Sequence, residues 1–87
     1  MTIEFDPEKD ALNVAKHGVS LARAADLDIR AMVDDGRFVE ARRRAYGFLD
    51  GLPHCLAFVD RDGTVRAISL RRAHLKEFRR HVPADQD

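Results

Sequence analysis

VEARRRAYGFLDGLPHCLAFVDRDGTVRAISL, residues 39–70, decides the fold. Residues 39–49 alternate in character and read as one long strand, because successive strand side chains point to opposite faces. Asp50-Gly51 follows at once, and that dipeptide favours a two-residue hairpin by tolerating positive φ at both positions. Pro53 has no N–H for a ladder, so the next strand is expected at 54–60. Arg61-Asp62-Gly63 marks a second turn. Residues 64–70 then read as a last strand, with Val65, Ala67 and Ser69 on one face and Thr64, Arg66, Ile68 and Leu70 on the other. Upstream, Asp35-Gly36 is another turn signal and 30–34 reads as a strand before it. The result is an antiparallel meander of about four strands.

On either side of the meander the period becomes helical. After an extended lead-in at 3–5, Asp6 is placed to cap a helix with Pro7 at its first position, where a missing N–H costs nothing. Leu12, Ala15 and Val19 form its apolar stripe and Gly18 ends it. Ser20 caps a second helix running to about residue 28, with Leu21, Ala24, Ala25 and Leu27 inward. From about Arg71 a third helix is expected, with Leu75, Phe78 and Val82 on one stripe, Ser69 as its N-cap and Arg71 or Arg72 in its first turn. Pro83 and the polar tail stop it. The fold class is α+β: two N-terminal helices, the meander and a C-terminal helix, in a single domain over residues 1–87.

With 87 residues and 9.9 kDa the chain can build one core and not two. No apolar run approaches the ~20 residues of a membrane span, and MTIEFDPEKD lacks the basic and apolar regions of a secretion signal. Cys55 is the only cysteine, which excludes an internal disulfide and a cysteine-built zinc site. A cytoplasmic protein fits these features. The four histidines, His17, His54, His74 and His81, show no i, i+3 or i, i+4 pairing, so no metal site and no cofactor is expected. The net charge of zero hides a division. Residues 1–35 carry four bases against eight acids, and residues 36–87 carry eleven against seven. Of the 15 basic residues 12 are arginine, whose planar fork suits phosphate or carboxylate. A solvated, self-compensating surface is the other reading of the same charges.

Three stretches carry a resemblance: IEFDPEKDALNVAKHGVS at 3–20, VEARRRAYGFLDG at 39–51 and VRAISLRRAHLKEF at 65–78. In this order, over nearly the whole chain, they resemble the BrnT toxins of type II toxin–antitoxin modules. The resemblance implies a RelE-like fold and a ribonuclease that halts translation. It also implies neutralisation by a BrnA antitoxin whose ribbon-helix-helix part binds DNA, so that DNA is met only through the antitoxin.

Metal-free RNA cleavage needs a base near the 2′-hydroxyl, cations around the phosphate and an acid for the leaving 5′-oxygen. His17 is the acid/base candidate, its other reading being a charge that complements the helix C-terminus. Glu40 and Arg42 lie two apart on a strand, with Arg44, Tyr46 and Phe48 on the same face. This is either a platform of clamp, base and stacking ring, or an internal ion pair beside a buried aromatic core. Arg71 joins His17, Glu40 and Arg42 as a catalytic candidate, while Lys16, Arg44, Tyr46, Arg66 and Arg72 are candidates for holding RNA. Glu77 reads as a structural partner for Arg or Lys on adjacent turns, and Cys55 as a small buried residue. A catalytically silent RNA- or partner-binding module on the same fold is the alternative function. It is suggested by Arg43 and Arg44, which stand where the family usually has an aromatic and an aliphatic residue.

Overall fold

The computed structural model describes residues 2–36 and 41–86, and the meander is its centre. Strands β2 (Asp28–Asp35), β3 (Arg42–Leu49), β4 (Leu52–Arg61) and β5 (Thr64–Arg72) pair antiparallel in succession. The lead-in strand β1 (Thr2–Glu4) adds parallel to β5, so the sheet order is β1-β5-β4-β3-β2. Asp50 and Gly51, at φ 53° and 75°, close the hairpin between Leu49 and Leu52. Positive φ at both central residues is the turn whose twist matches that of the strands.

β4 starts earlier than the proline suggested. Pro53 pairs with Phe48 on β3, but β5 joins β4 only from His54 onward. The missing N–H therefore costs that ladder nothing, while the Pro53 carbonyl accepts from the Ala73 N–H at 3.0 Å. β5 also departs from strict alternation. Ser69 pairs with Ala57 and Ala67 with Phe58, leaving Ile68 as an extra residue. This bulge exchanges faces beyond it, so Leu70, not Ser69, joins Val65 and Ala67 in the core. Gly47 is required where β2 crosses closely: a Cβ there would lie 2.2 Å from the Asp28 carbonyl oxygen.

Helix α1 (Pro7–His17) has the expected ends. The Asp6 carboxylate accepts from the Glu8 N–H at 2.9 Å, and the Gly18 N–H donates to the Val14 carbonyl. Of its expected apolar stripe only Val19 packs against the core. Leu12 is 69% exposed and Ala15 is exposed, whereas Asn13 is buried. The Asn13 amide donates to the carbonyls of Leu70 (2.9 Å) and Val19 (2.8 Å) and accepts from the Leu70 N–H (3.1 Å). β1 pairs with β5 only as far as Arg66. Asn13 therefore acts as a one-residue strand on the remaining edge.

The second N-terminal helix is a short 3-10 helix, Leu21–Asp26, capped as expected by Ser20. The Asp10 carboxylate ties it to α1 by accepting from the Leu21 N–H (2.7 Å) and the Ser20 hydroxyl (3.0 Å). Leu21, Ala24 and Leu27 are buried against one face of the sheet, but Ala25 is exposed. The C-terminal helix α2 (Leu75–Arg79) is shorter than expected and begins later. Arg71 and Arg72 are still in β5, paired with Cys55 and His54. Ser69 is thus no helix cap and Arg71 is not in a first helical turn. Phe78 and Val82 are buried over Tyr46, Cys55 and Ala73 on the second face of the sheet, while Leu75 is exposed. Among the described residues no helix is long and apolar enough to cross a membrane.

Candidate active site

The bulge at Ile68 opens two adjoining depressions. One, of about 200 Å³, is lined by Arg42, Arg44, Asp35 and Arg71, with Cys55 and Ala57 beneath. The other, of about 260 Å³, lies between α1 and β5 against Lys9, Leu12, Lys16 and His17. Both share Ile68 and Ser69. A histidine at a helix C-terminus and a group of arginines on a sheet are thereby placed on two sides of one floor. A third, larger depression, of about 480 Å³, lies by the β3–β4 hairpin against Asp28, Arg30, Phe48 and Gly51. Of the platform residues suggested by the sequence it holds Phe48 alone, and Arg30 is bonded there to Asp28 at 2.9 Å.

Burial, together with the charges of Lys16 and Arg71, holds the His17 imidazole below its ordinary range. At neutral pH it is a proton acceptor in cationic surroundings. Arg71 points its terminal nitrogens at Glu77 on α2, with Nη1 to Oε1 at 3.0 Å and Nη2 to Oε2 at 2.9 Å. The buried Tyr46 hydroxyl donates to the same Oε2 at 2.6 Å, and Arg44 Nη1 donates to that hydroxyl at 2.9 Å. Arg71 first, then Tyr46, hold the Glu77 carboxyl at about 2, far below the usual carboxylate range. Burial and then Glu77 push the Tyr46 phenol upward. Arg44 Nε is buried without a hydrogen bond, 3.9 Å from the Asp35 carboxylate. Burial also pushes the Cys55 thiol up, which keeps it protonated and a poor nucleophile.

The fold thus brings His17, Lys16, Arg42, Arg44 and Arg71 to one surface. Arg66 is not there: it sits at the other end of β5, 3.4 Å from Glu4. Arg72 is exposed and lines neither depression. Tyr46 is corrected as a stacking residue. It is fully buried, with its ring stacked on His81 at 4.6 Å and edge-on to Phe78, which leaves no face for a base. Of the two sequence readings, the buried aromatic core holds for it. Glu40 lies outside the described residues.

Glu77 does seek a cation, but across a strand-to-helix corner instead of along the helix. Its separation of six from Arg71 matches no helical spacing, so no sequence signal marked the pair. Asp35, read only as part of a turn, is a buried carboxylate beside Arg44.

The family model described as "Ribonuclease toxin, BrnT, of type II toxin-antitoxin system" matches residues 5–77. The chain belongs to this family. Among solved structures it is similar to the Brucella abortus ribonuclease toxin BrnT, at a TM-score of 0.66 and 26% identity. That similarity covers 85% of this chain and 97% of the other. No curated protein matches the sequence. The BrnT match includes His17, both depressions and the Arg71–Glu77 pair, and ribonuclease action is the activity of the family. As a BrnT toxin of a type II system, the chain has RNA as its substrate class and an antitoxin as its partner.

Proposed function

We propose that the chain is a metal-independent endoribonuclease that blocks translation by cutting RNA over the Ile68–Ser69 floor, and that a BrnA-like antitoxin with a ribbon-helix-helix part neutralises it. The observation that carries this reading is the floor shared by His17 and Arg71. RNA supplies its own nucleophile. Neutral His17 takes the proton of the 2′-hydroxyl, and the 2′-oxygen attacks the adjacent phosphorus. Arg71 and Arg42 hold the non-bridging oxygens as charge builds on them, while Lys16 and Arg44 hold the flanking backbone. The P–O5′ bond breaks, leaving a 2′,3′-cyclic phosphate and a 5′-hydroxyl. The leaving 5′-oxygen takes a proton from water or from the protonated His17; Glu40, the carboxylate base of the sequence reading, lies outside the described residues.

The test is cleavage of a single-stranded RNA by the purified chain in EDTA, with His17→Ala and Arg71→Ala alongside. Cleavage by the wild type to cyclic-phosphate ends, reduced at least about 100-fold in both variants, is expected. Intact RNA under all conditions, with and without ribosomes, overturns the enzyme reading. One observation favours a silent binding module instead: Arg71 is already occupied by Glu77. Binding of RNA without cleavage would establish that alternative.

A further inference from the structure

We infer that Glu77 is a positioning residue that sets Arg71, and through Tyr46 also Arg44, at a fixed separation across the cleft. The inference rests on the reading of Arg71 as a phosphate clamp. Bonding Glu77 end-on engages Nη1 and Nη2 of Arg71, so the Nε side of the fork is left for an incoming oxygen among the described residues. The side chain keeps 32% of its surface exposed. Bidentate contact fixes the guanidinium plane as well as its position.

The carboxylate is itself held from below. Its Oε2 accepts the 2.6 Å bond from Tyr46, whose ring cannot move because it lies buried between His81 and Phe78. Arg44 completes the chain by donating to the same phenol, with its guanidinium over the ring at 5.7 Å. Two cations that would repel across one small cleft are thus joined through one anion and one buried hydroxyl.

Docking of α2 does not by itself call for this network. Phe78 and Val82, both fully buried, already seat the segment on the sheet. The charged groups instead lie at the edge of the cleft, where their geometry would decide whether two guanidiniums meet one phosphodiester. A clamp oriented before substrate arrives spends less binding energy on ordering and reorients less as charge develops.

The experiment compares wild type, Glu77→Gln, Arg71→Ala and the double variant. It reads the single-turnover cleavage rate, the Kd for the same RNA and the thermal midpoint. The substitution to Gln keeps shape but loses charge and one acceptor. The expected result is a cleavage rate lower by about 10- to 100-fold, with Kd changed only a few-fold and the fold retained. In the Arg71→Ala background the Glu77 change should cost markedly less than in the wild type, since only the route through Tyr46 to Arg44 remains.

A Glu77→Gln rate within about twofold of wild type, with Arg71→Ala impaired, overturns this inference and leaves the clamp standing. Losses that multiply in the double variant also overturn it. A fully active Arg71→Ala overturns the clamp itself, and Glu77's role with it. Should Glu77→Gln fail to fold, Tyr46→Phe removes only the hydroxyl and keeps the ring. A lowered rate at unchanged Kd then supports the inference, and a wild-type rate overturns it.

Discussion

His17 shows how much one residue's surroundings decide. The side chain closes the last turn of α1, where a positive charge would be favoured by the helix dipole, yet partial burial, Lys16 and Arg71 outweigh it and lower the pKa. The sign follows for activity. A general base works only when deprotonated, so cleavage should be constant above the ordinary histidine value of 6.5 and fall as pH drops through a midpoint below it. A pH–rate profile checks this, and His17→Ala should remove that acid limb along with most of the rate. An acid limb centred above 6.5 would mean that the base is another group. His17 and Arg71 could be proposed from sequence because imidazole and guanidinium suit phosphodiesters and because both lie in the stretches that resemble the BrnT family. Glu77 could not, because a carboxylate six residues from its arginine becomes a partner only once a strand has ended and a helix has turned back over the sheet.

The elements show a similar division. The meander was legible because Asp50-Gly51 and Asp62-Gly63 each place two positive-φ residues where strands must reverse. The bulge was not, because counting in twos carries no signal for an added residue such as Ile68. That one residue turns Leu70 inward and leaves Ser69 on the floor that joins the two depressions. α1 was misread for a related reason: its inward residue is polar. Asn13 satisfies the N–H and C=O of Leu70 and the C=O of Val19. Asn13→Leu should therefore cost at least about 3 kcal/mol, from three backbone groups left unpaired at roughly 1–3 kcal/mol each. Leu12→Ala, one residue away but largely exposed, should stay within about 0.5 kcal/mol. Urea denaturation midpoints measure both. The reverse order would restore the apolar stripe that the sequence suggested and remove Asn13 from its role at the β5 edge.

At the scale of the molecule, folding brings some acids of the first part of the chain onto bases of the second. Glu4 meets Arg66 and Asp34 meets Arg43, in exposed pairs worth at most about 1 kcal/mol each. Among the described residues the floor is lined by Lys9, Lys16, His17, Arg42, Arg43, Arg44 and Arg71, with the carboxylates of Asp35 and Glu77 beside Arg44 and Arg71. A surface that attracts phosphates attracts a run of carboxylates equally well, since the arginine fork suits both. An acidic antitoxin segment laid over it would inhibit by occupancy, with no change in the toxin's fold. RNA affinity should then fall steeply with salt. Each neutralised phosphate contributes a slope of about 0.7 in log Kd against log salt for a single strand. Lys16→Glu and Arg71→Glu should each reduce that slope and weaken RNA and antitoxin together. Arg66→Glu, remote from the floor and already paired with Glu4, should leave both nearly unchanged. Titration calorimetry at two salt concentrations measures all of these. If Arg66→Glu weakens the antitoxin as much as Arg71→Glu does, the antitoxin covers another face, and inhibition must act on the site from a distance.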